Sequence, residues 1–147
     1  MCKSHVFLGG SCNPTTWRMD VAIPALEAAG VSYYNPQVED WTPELVEVEA
    51  NAKAEAEVLL FVIDGETRAI ASILEATEYM CTGRKVVLVI ENITDGTMIE
   101  GDKVSGRELK DLNRARAYLA DVAKRSGVEE FETVKAAVDG IIRLSLS

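Results

Sequence analysis

An α/β sandwich, a parallel sheet between two layers of helices, is the fold class predicted by this 147-residue sequence. Two runs carry most of the prediction. Val58–Ile63 and Val86–Ile90 are apolar without alternation and rich in β-branched residues. A half-exposed strand alternates polar and apolar side chains, whereas a strand covered on both faces reads as a continuous apolar run, the mark of parallel sheets. The third observation is the order of segments. Strand-like and helix-like stretches alternate along the whole chain, which right-handed crossovers turn into a three-layer sandwich. With no repeat, low-complexity stretch or linker, residues 1–147 read as one domain.

The elements follow in order. A first strand spans residues 5–8 and meets Gly9-Gly10. A helix over 15–29 contains Pro24, which should kink or restart it, and ends at Gly30, where a left-handed residue is expected. A short strand follows at 32–35. Thr42-Pro43 reads as an N-cap followed by proline at the first helical position, opening a helix over 43–56. After Val58–Ile63 comes a helix over 67–82 closed by Gly83, then Val86–Ile90. Segment 92–104 is polar, contains Gly96 and Gly101, and reads as a mobile loop. Ser105-Gly106-Arg107-Glu108 has the capping-box pattern and starts the helix Gly106–Arg125, closed by Gly127. Glu129–Phe131 and a helix over 133–144 complete the series.

Lys plus Arg number 15 against 24 Asp plus Glu, a formal charge of −9. Such a surface repels phosphate backbones and argues against binding a nucleic acid polymer. A small nucleotide stays compatible, since one pocket arginine outweighs a distant net charge. Six residues is the longest apolar run, against the ~20 a membrane span requires. The start, Met1-Cys2-Lys3-Ser4-His5, reaches Gly9-Gly10 too soon for a signal-peptide core, so a cytoplasmic location is expected. Three cysteines (Cys2, Cys12, Cys81) without CxxC spacing, and the lone His5, argue against a structural metal site or a disulfide framework. No cofactor is implied. Cys81, in an apolar helix, reads as a small buried hydrophobe, and no obvious base stands beside Cys12.

Ligands of open parallel sheets sit beyond the carboxyl ends of the strands. This directs attention to Gly9-Gly10-Ser11-Cys12-Asn13, Asn35-Pro36-Gln37, Asp64-Gly65-Glu66-Thr67-Arg68 and Glu91-Asn92. The glycine pair permits close backbone approach to a ligand, or simply a tight turn; it fits neither GxGxxG nor GxxxxGK[ST]. In the helix over 43–56, Leu45, Val48, Ala52 and Ala56 share a stripe with Glu49. That carboxylate either lines a cavity or reaches solvent from the stripe's edge. The next helix presents Ile70, Ile73, Leu74, Met80 and Cys81 as its apolar face, flanked by Glu75 and Glu78, between which periodicity does not choose. Arg116 falls on the stripe of Leu109, Leu112, Leu119 and Ala123, as a buried structural arginine or an anion ligand.

The segment Ser72-Ile73-Leu74-Glu75-Ala76-Thr77-Glu78-Tyr79, followed by Gly83-Arg84-Lys85 and the Val86–Ile90 strand, resembles the nucleoside 2-deoxyribosyltransferases. Phe7-Leu8-Gly9-Gly10-Ser11 resembles their first strand and glycine turn. Together with Thr16-Trp17-Arg18, Asn35-Pro36-Gln37 and Thr67-Arg68, these motifs look like the deoxyribosyltransferase-like branch of that superfamily, over roughly residues 6–90. The resemblance implies a five-stranded sheet in the flavodoxin-like order 2-1-3-4-5. It also implies cleavage or transfer at the N-glycosidic bond of a nucleoside or nucleotide, by a hydrolase or glycosyltransferase. Glu75 would be the nucleophile and Glu49, where the family has an aspartate, the second carboxylate, with Asp64 in reserve. Substrate contacts would come from Gly9, Gly10, Ser11, Asn13, Arg18, Asn35, Gln37, Asp64 and Arg68. Phe7 stands where the family has a tyrosine that holds the nucleophile. Arg68 lies beside Ala69, where the family recognises the base or a phosphate, which shifts the expected substrate towards an anionic nucleotide. A homodimer or higher homo-oligomer is implied too, with residues 92–100 reaching a neighbour's pocket and Met98 as an apolar contact. The alternative is a non-catalytic nucleotide-sensing domain on the same fold. An electron-transfer flavodoxin would need a Ser/Thr-rich phosphate loop that the first turn lacks.

Overall fold

The computed structural model describes residues 5–145. Cys2 lies outside them. The strands are β1 (Val6–Gly10), β2 (Tyr33–Tyr34), β3 (Val58–Ile63), β4 (Val86–Ile90), β5 (Met98–Ile99), β6 (Asp102–Lys103) and β7 (Glu129–Phe131). The helices are α1 (Ile23–Ala28), α2 (Leu45–Glu55), α3 (Ile70–Cys81), α4 (Gly106–Arg125) and α5 (Val134–Ser145). Five strands form one parallel sheet in the order β2-β1-β3-β4-β7, while β5 and β6 form a separate hairpin. Counting only strands of the main sheet, this is the expected flavodoxin-like order.

The continuous apolar runs have the predicted cause. Along β3, Val58, Leu60 and Val62 face one core with Leu26, Val138 and Ile141, while Leu59, Phe61 and Ile63 face another with Ala76, Met80 and Leu119. Alternate residues thus enter opposite layers, and every residue of β3 is buried. The sheet reverses its order between β1 and β3, and their carboxyl ends lie side by side from Val6–Val58 to Gly10–Val62.

Several expectations need correction. The helix over 15–29 begins later, as a π-helical turn at Arg18–Ala22, and continues as α1 from Ile23, beside Pro24, where a restart is expected. Thr42 gives Leu45 a turn carbonyl and bonds the Glu44 side chain, and α2 begins two residues later than Pro43. Val48 is exposed and α2 buries no residue; its inward face is Leu45, Glu49, Ala52 and Lys53. Likewise Ile70 and Leu74 are exposed, and α3 packs through Ser72, Ile73, Ala76 and Met80. Cys81 is exposed, one residue beyond the buried face.

Segment 92–104 is built rather than loose. Ile93, Ile99 and Val104 pack on Leu112 of α4, and Asn113 closes the segment by bonding both the N–H and the carbonyl of Ile93. The capping box does not form. Ser105 stands at the N-cap of α4 without a side-chain bond, because Glu108 is drawn away to Arg68 at 3.1 Å. At α5 the expected start is confirmed by Thr133, whose hydroxyl accepts the N–H of Ala136. Among the described residues no helix is long and apolar enough to cross a membrane.

Candidate active site

A narrow cleft of about 90 Å³ opens at the carboxyl ends of β1 and β3, under α2 and α3. Gly9 and Gly10 form its floor, Phe7 and Phe61 its apolar wall, and Glu49, Lys53 and Glu75 its polar wall. The glycines answer first to packing. A Cβ on Gly9 would meet the Phe61 ring at 2.8 Å, and one on Gly10, whose φ is +124°, would run into the carbonyl of Val62. The pair therefore lets β1 lie close against β3, and the floor stays low as a consequence.

The polar wall joins two helices. Lys53 Nζ donates to Glu75 Oε2 at 2.7 Å, an ion pair whose lysine is 18% exposed. The ammonium also lies 5.8 Å from the Phe7 ring centroid and 6.0 Å from that of Tyr79. Burial works against its charge, but the hydrogen bond and charge of Glu75, with Tyr79 and Glu49 adding, outweigh it and raise the Lys53 pKa. Glu49 lies one turn before Lys53. Burial pushes its pKa up and the charge of Glu75 pushes it further, while Lys53 and Arg18 pull it down; the net direction is upward. Glu78, which periodicity could not separate from Glu75, is exposed and lines no part of the cleft. Lys53 escaped the sequence reading; its signal was the i,i+4 spacing from Glu49.

Behind the floor, other expected site residues hold the turns in place. Arg18 is fully buried, stacks on Trp17, and donates to the carbonyls of Leu8, Gly10 and Ser11. It braces the glycine turn from beneath and does not line the cleft. Gln37 Nε2 donates to the carbonyls of Cys12 and Thr15, and Asn35 Oδ1 accepts the N–H of Gln37. Asp64 is buried; its carboxylate accepts the N–H of Glu66 and lies 3.0 Å from the hydroxyl of Thr67, which in turn meets Ser11 Oγ. Arg116 resolves as structural. Its five N–H groups point at the carbonyls of Glu91, Arg68, Leu112, Asp64 and Thr67.

A second cavity, of about 350 Å³, lies across the glycine turn and is lined by Ser11, Asn13, Thr67, Arg68, Ser72 and Met98 among others. Arg68 reaches it while paired with Glu108, and that hydrogen bond, with the nearby Asp102 and Glu100, raises its pKa. The structure thus sorts the predicted residues into three groups. Gly9, Gly10, Glu49 and Glu75 share the cleft; Ser11, Asn13 and Arg68 share the second cavity; Arg18, Asn35, Gln37 and Asp64 support the turns. No group of three or more metal-ligating side chains occurs among the described residues.

The carboxylate-bearing cleft lies at the switch point of the parallel sheet, where open α/β folds place small ligands. A family model described as "Nucleoside 2-deoxyribosyltransferase like" matches residues 3–93, which include β1, β3, β4 and every residue of the cleft. The chain belongs to the nucleoside 2-deoxyribosyltransferase-like family. That membership implies N-glycosidic bond chemistry and nucleoside-type substrates. Comparison with curated proteins gives no match.

Proposed function

We propose that the chain cleaves the N-glycosidic bond of a nucleoside or nucleotide through a covalent intermediate on Glu75. The observation that supports this most is the placing of two carboxylates, Glu49 and Glu75, around one ammonium in a cleft at the sheet's switch point. Lys53 occupies Oε2 of Glu75, and Oε1 carries no hydrogen bond among the described residues, so one oxygen remains for attack.

In the first step Glu75 Oε1 forms a bond to C1′ as the C1′–N bond breaks. The electron pair leaves with the base, and the protonated Glu49 gives the base its proton. Burial and the neighbouring Glu75 charge keep Glu49 protonated to higher pH than an ordinary carboxylate, as a general acid requires. In the second step water attacks C1′ and gives a proton to the Glu49 carboxylate, and Glu75 leaves as carboxylate. A second base in place of water would make the reaction a transfer. This is the logic of retaining glycosidases. Arg68, at the second cavity, would take an anionic group of the substrate after exchanging Glu108 for it.

Incubation with a panel of nucleosides and nucleotides, with chromatography for released base, tests the reading. Base release that is lost in Glu75→Gln supports it; no release from any member contradicts it. One observation favours a second reading, binding without cleavage: the Phe7 ring offers Glu75 no hydroxyl. A binder would show saturable heat on titration with a nucleotide and release no base.

A further inference from the structure

Where the family resemblance places a tyrosine hydroxyl on the first strand, this chain has a phenyl ring, and the bond to Glu75 comes instead from a different element. Lys53 reaches Glu75 from α2, with its ammonium within cation–π range of the Phe7 and Tyr79 rings. Its backbone is tethered: Arg84 Nη2 donates to the carbonyl of Lys53 at 2.6 Å and to that of Ala56 at 2.9 Å. These bonds anchor a helix that buries none of its own residues. The side chain beyond that anchor has two carboxylate neighbours, Glu75 on α3 and Glu49 one turn back on α2.

We propose that Lys53 is the positioning residue of the cleft, holding one oxygen of Glu75 during attack and turning to Glu49 once Glu75 is esterified. The proposal rests on the Glu75 reading above. Esterification removes the Glu75 charge, and an ester oxygen is a far weaker acceptor than a carboxylate. Among the groups facing Lys53, namely Glu75 and Tyr79 from α3 and Glu49 from its own helix, Glu49 is then the one carboxylate left. Glu49 has by that stage given its proton to the base. It is faced by Lys53, Glu75 and Arg18, and it is felt in turn by Cys12 and Tyr34. Losing the Glu75 charge while gaining the ammonium stabilises Glu49 as a carboxylate when it must accept a proton from water. The lysine keeps its own protons throughout. A phenol hydroxyl carries no charge to move, so the exchange of an uncharged donor for an ammonium gives the cleft a means of turning its acid into its base.

The test needs no turnover. Carbon-13 titration of labelled glutamate carboxyls reads the Glu49 pKa in four chains: wild type, Glu75→Gln, Lys53→Met and the double variant. The side-chain amide of Glu75→Gln stands in for the uncharged ester. Glu75→Gln should lower the Glu49 pKa in both backgrounds, and the drop should be about twice as large or more where Lys53 is present. Equal drops would overturn the proposal. Amide spectra establish that each chain is folded, and Lys53→Arg, which retains the charge, should restore the larger drop. Where base release is measurable, Lys53→Met should cut kcat by about 10²- to 10⁴-fold, the usual worth of a general acid or base, and leave KM nearly unchanged. An unchanged kcat with a raised KM would also overturn it. Wild-type turnover by Glu75→Gln would sink the Glu75 reading instead, leaving the titration to judge Lys53 on its own.

Discussion

Where α4 meets the ends of β3 and β4, the guanidinium of Arg116 directs all five of its N–H groups to backbone carbonyls. Where α2 meets α3, the ammonium of Lys53 holds one oxygen of one carboxylate and faces a second across an open cleft. Arg116 sits at the carboxyl edge of the sheet, while Lys53 reaches over the sheet face beside Phe7. Arg116 is saturated, so it can take no ligand, and its role is to gather the loops after β3 and β4 around α4. Lys53 has partners that chemistry can change. On the function proposed above, what separates the two cations is whether their hydrogen bonds survive a turnover.

The largest expected effect lies on the saturated side. Arg116→Met should destabilise the chain by about 3–5 kcal/mol, or prevent folding, because several buried carbonyls lose their donor together and each costs about 1–3 kcal/mol. Urea unfolding measures this, and a loss under about 1 kcal/mol would place Arg116 outside the framework. The equivalent loss at Lys53 should appear in rate and leave the unfolding midpoint close to wild type.

The next effect concerns the second cavity. Arg68→Ala should weaken a phosphorylated ligand measurably while leaving the unphosphorylated nucleoside unchanged. Glu108→Gln, which removes the charge paired with Arg68, should strengthen the same ligand. Calorimetry across a series of nucleosides and their monophosphates checks both, and equal affinities throughout the series would remove Arg68 from recognition.

A smaller change should follow from association. Trp41, Val46, Ile70, Leu74 and Met98 are all at least 58% exposed, a set of large apolar side chains left uncovered by the chain's own fold. Light scattering at micromolar concentration should find a homo-oligomer, and a species of 16.0 kDa alone would contradict it. The smallest effect is at the unformed cap. Ser105→Ala should cost less than about 0.5 kcal/mol, below the usual value for an N-cap, since its hydroxyl makes no cap bond.

The sheet was legible because its signal is local. Residues of β3 and β4 are apolar on both faces, and β-branched side chains mark them as strands without reference to anything distant. Helix α4 was equally legible: Leu112, Arg116, Leu119 and Ala123 bury as their spacing requires. Misreadings arose where a partner far along the chain decided the outcome. Glu108 fits the capping pattern, yet Arg68, forty residues earlier, takes it. Segment 92–104 looked like a loop because Ile93, Ile99 and Val104 are scattered among polar residues, and the Leu112 that gathers them lies on another element. In α2 the hydrophobic stripe was misleading for another reason. The helix is tied at its carboxyl end by Arg84, which bonds the carbonyls of Lys53 and Ala56, and Val48 stays exposed. Glu49 was visible as a carboxylate out of place, and Glu75 through the family resemblance. Lys53 was not read, because its one mark, the i,i+4 spacing from Glu49, is also that of an ordinary surface ion pair.

Glu75 as nucleophile is tested most directly by trapping. A 2-fluoro-ribosyl analogue of a substrate found in the panel should slow breakdown of the ester and leave the sugar on the enzyme. Peptide mass spectrometry is then expected to find one adduct, on the peptide carrying Glu75 and at that residue. Glu75→Gln should form none, and Glu78→Gln, whose side chain is exposed, should form it at nearly the wild-type rate. An adduct on Glu49 or Glu78, or base release by Glu75→Gln matching the wild type, would contradict the account.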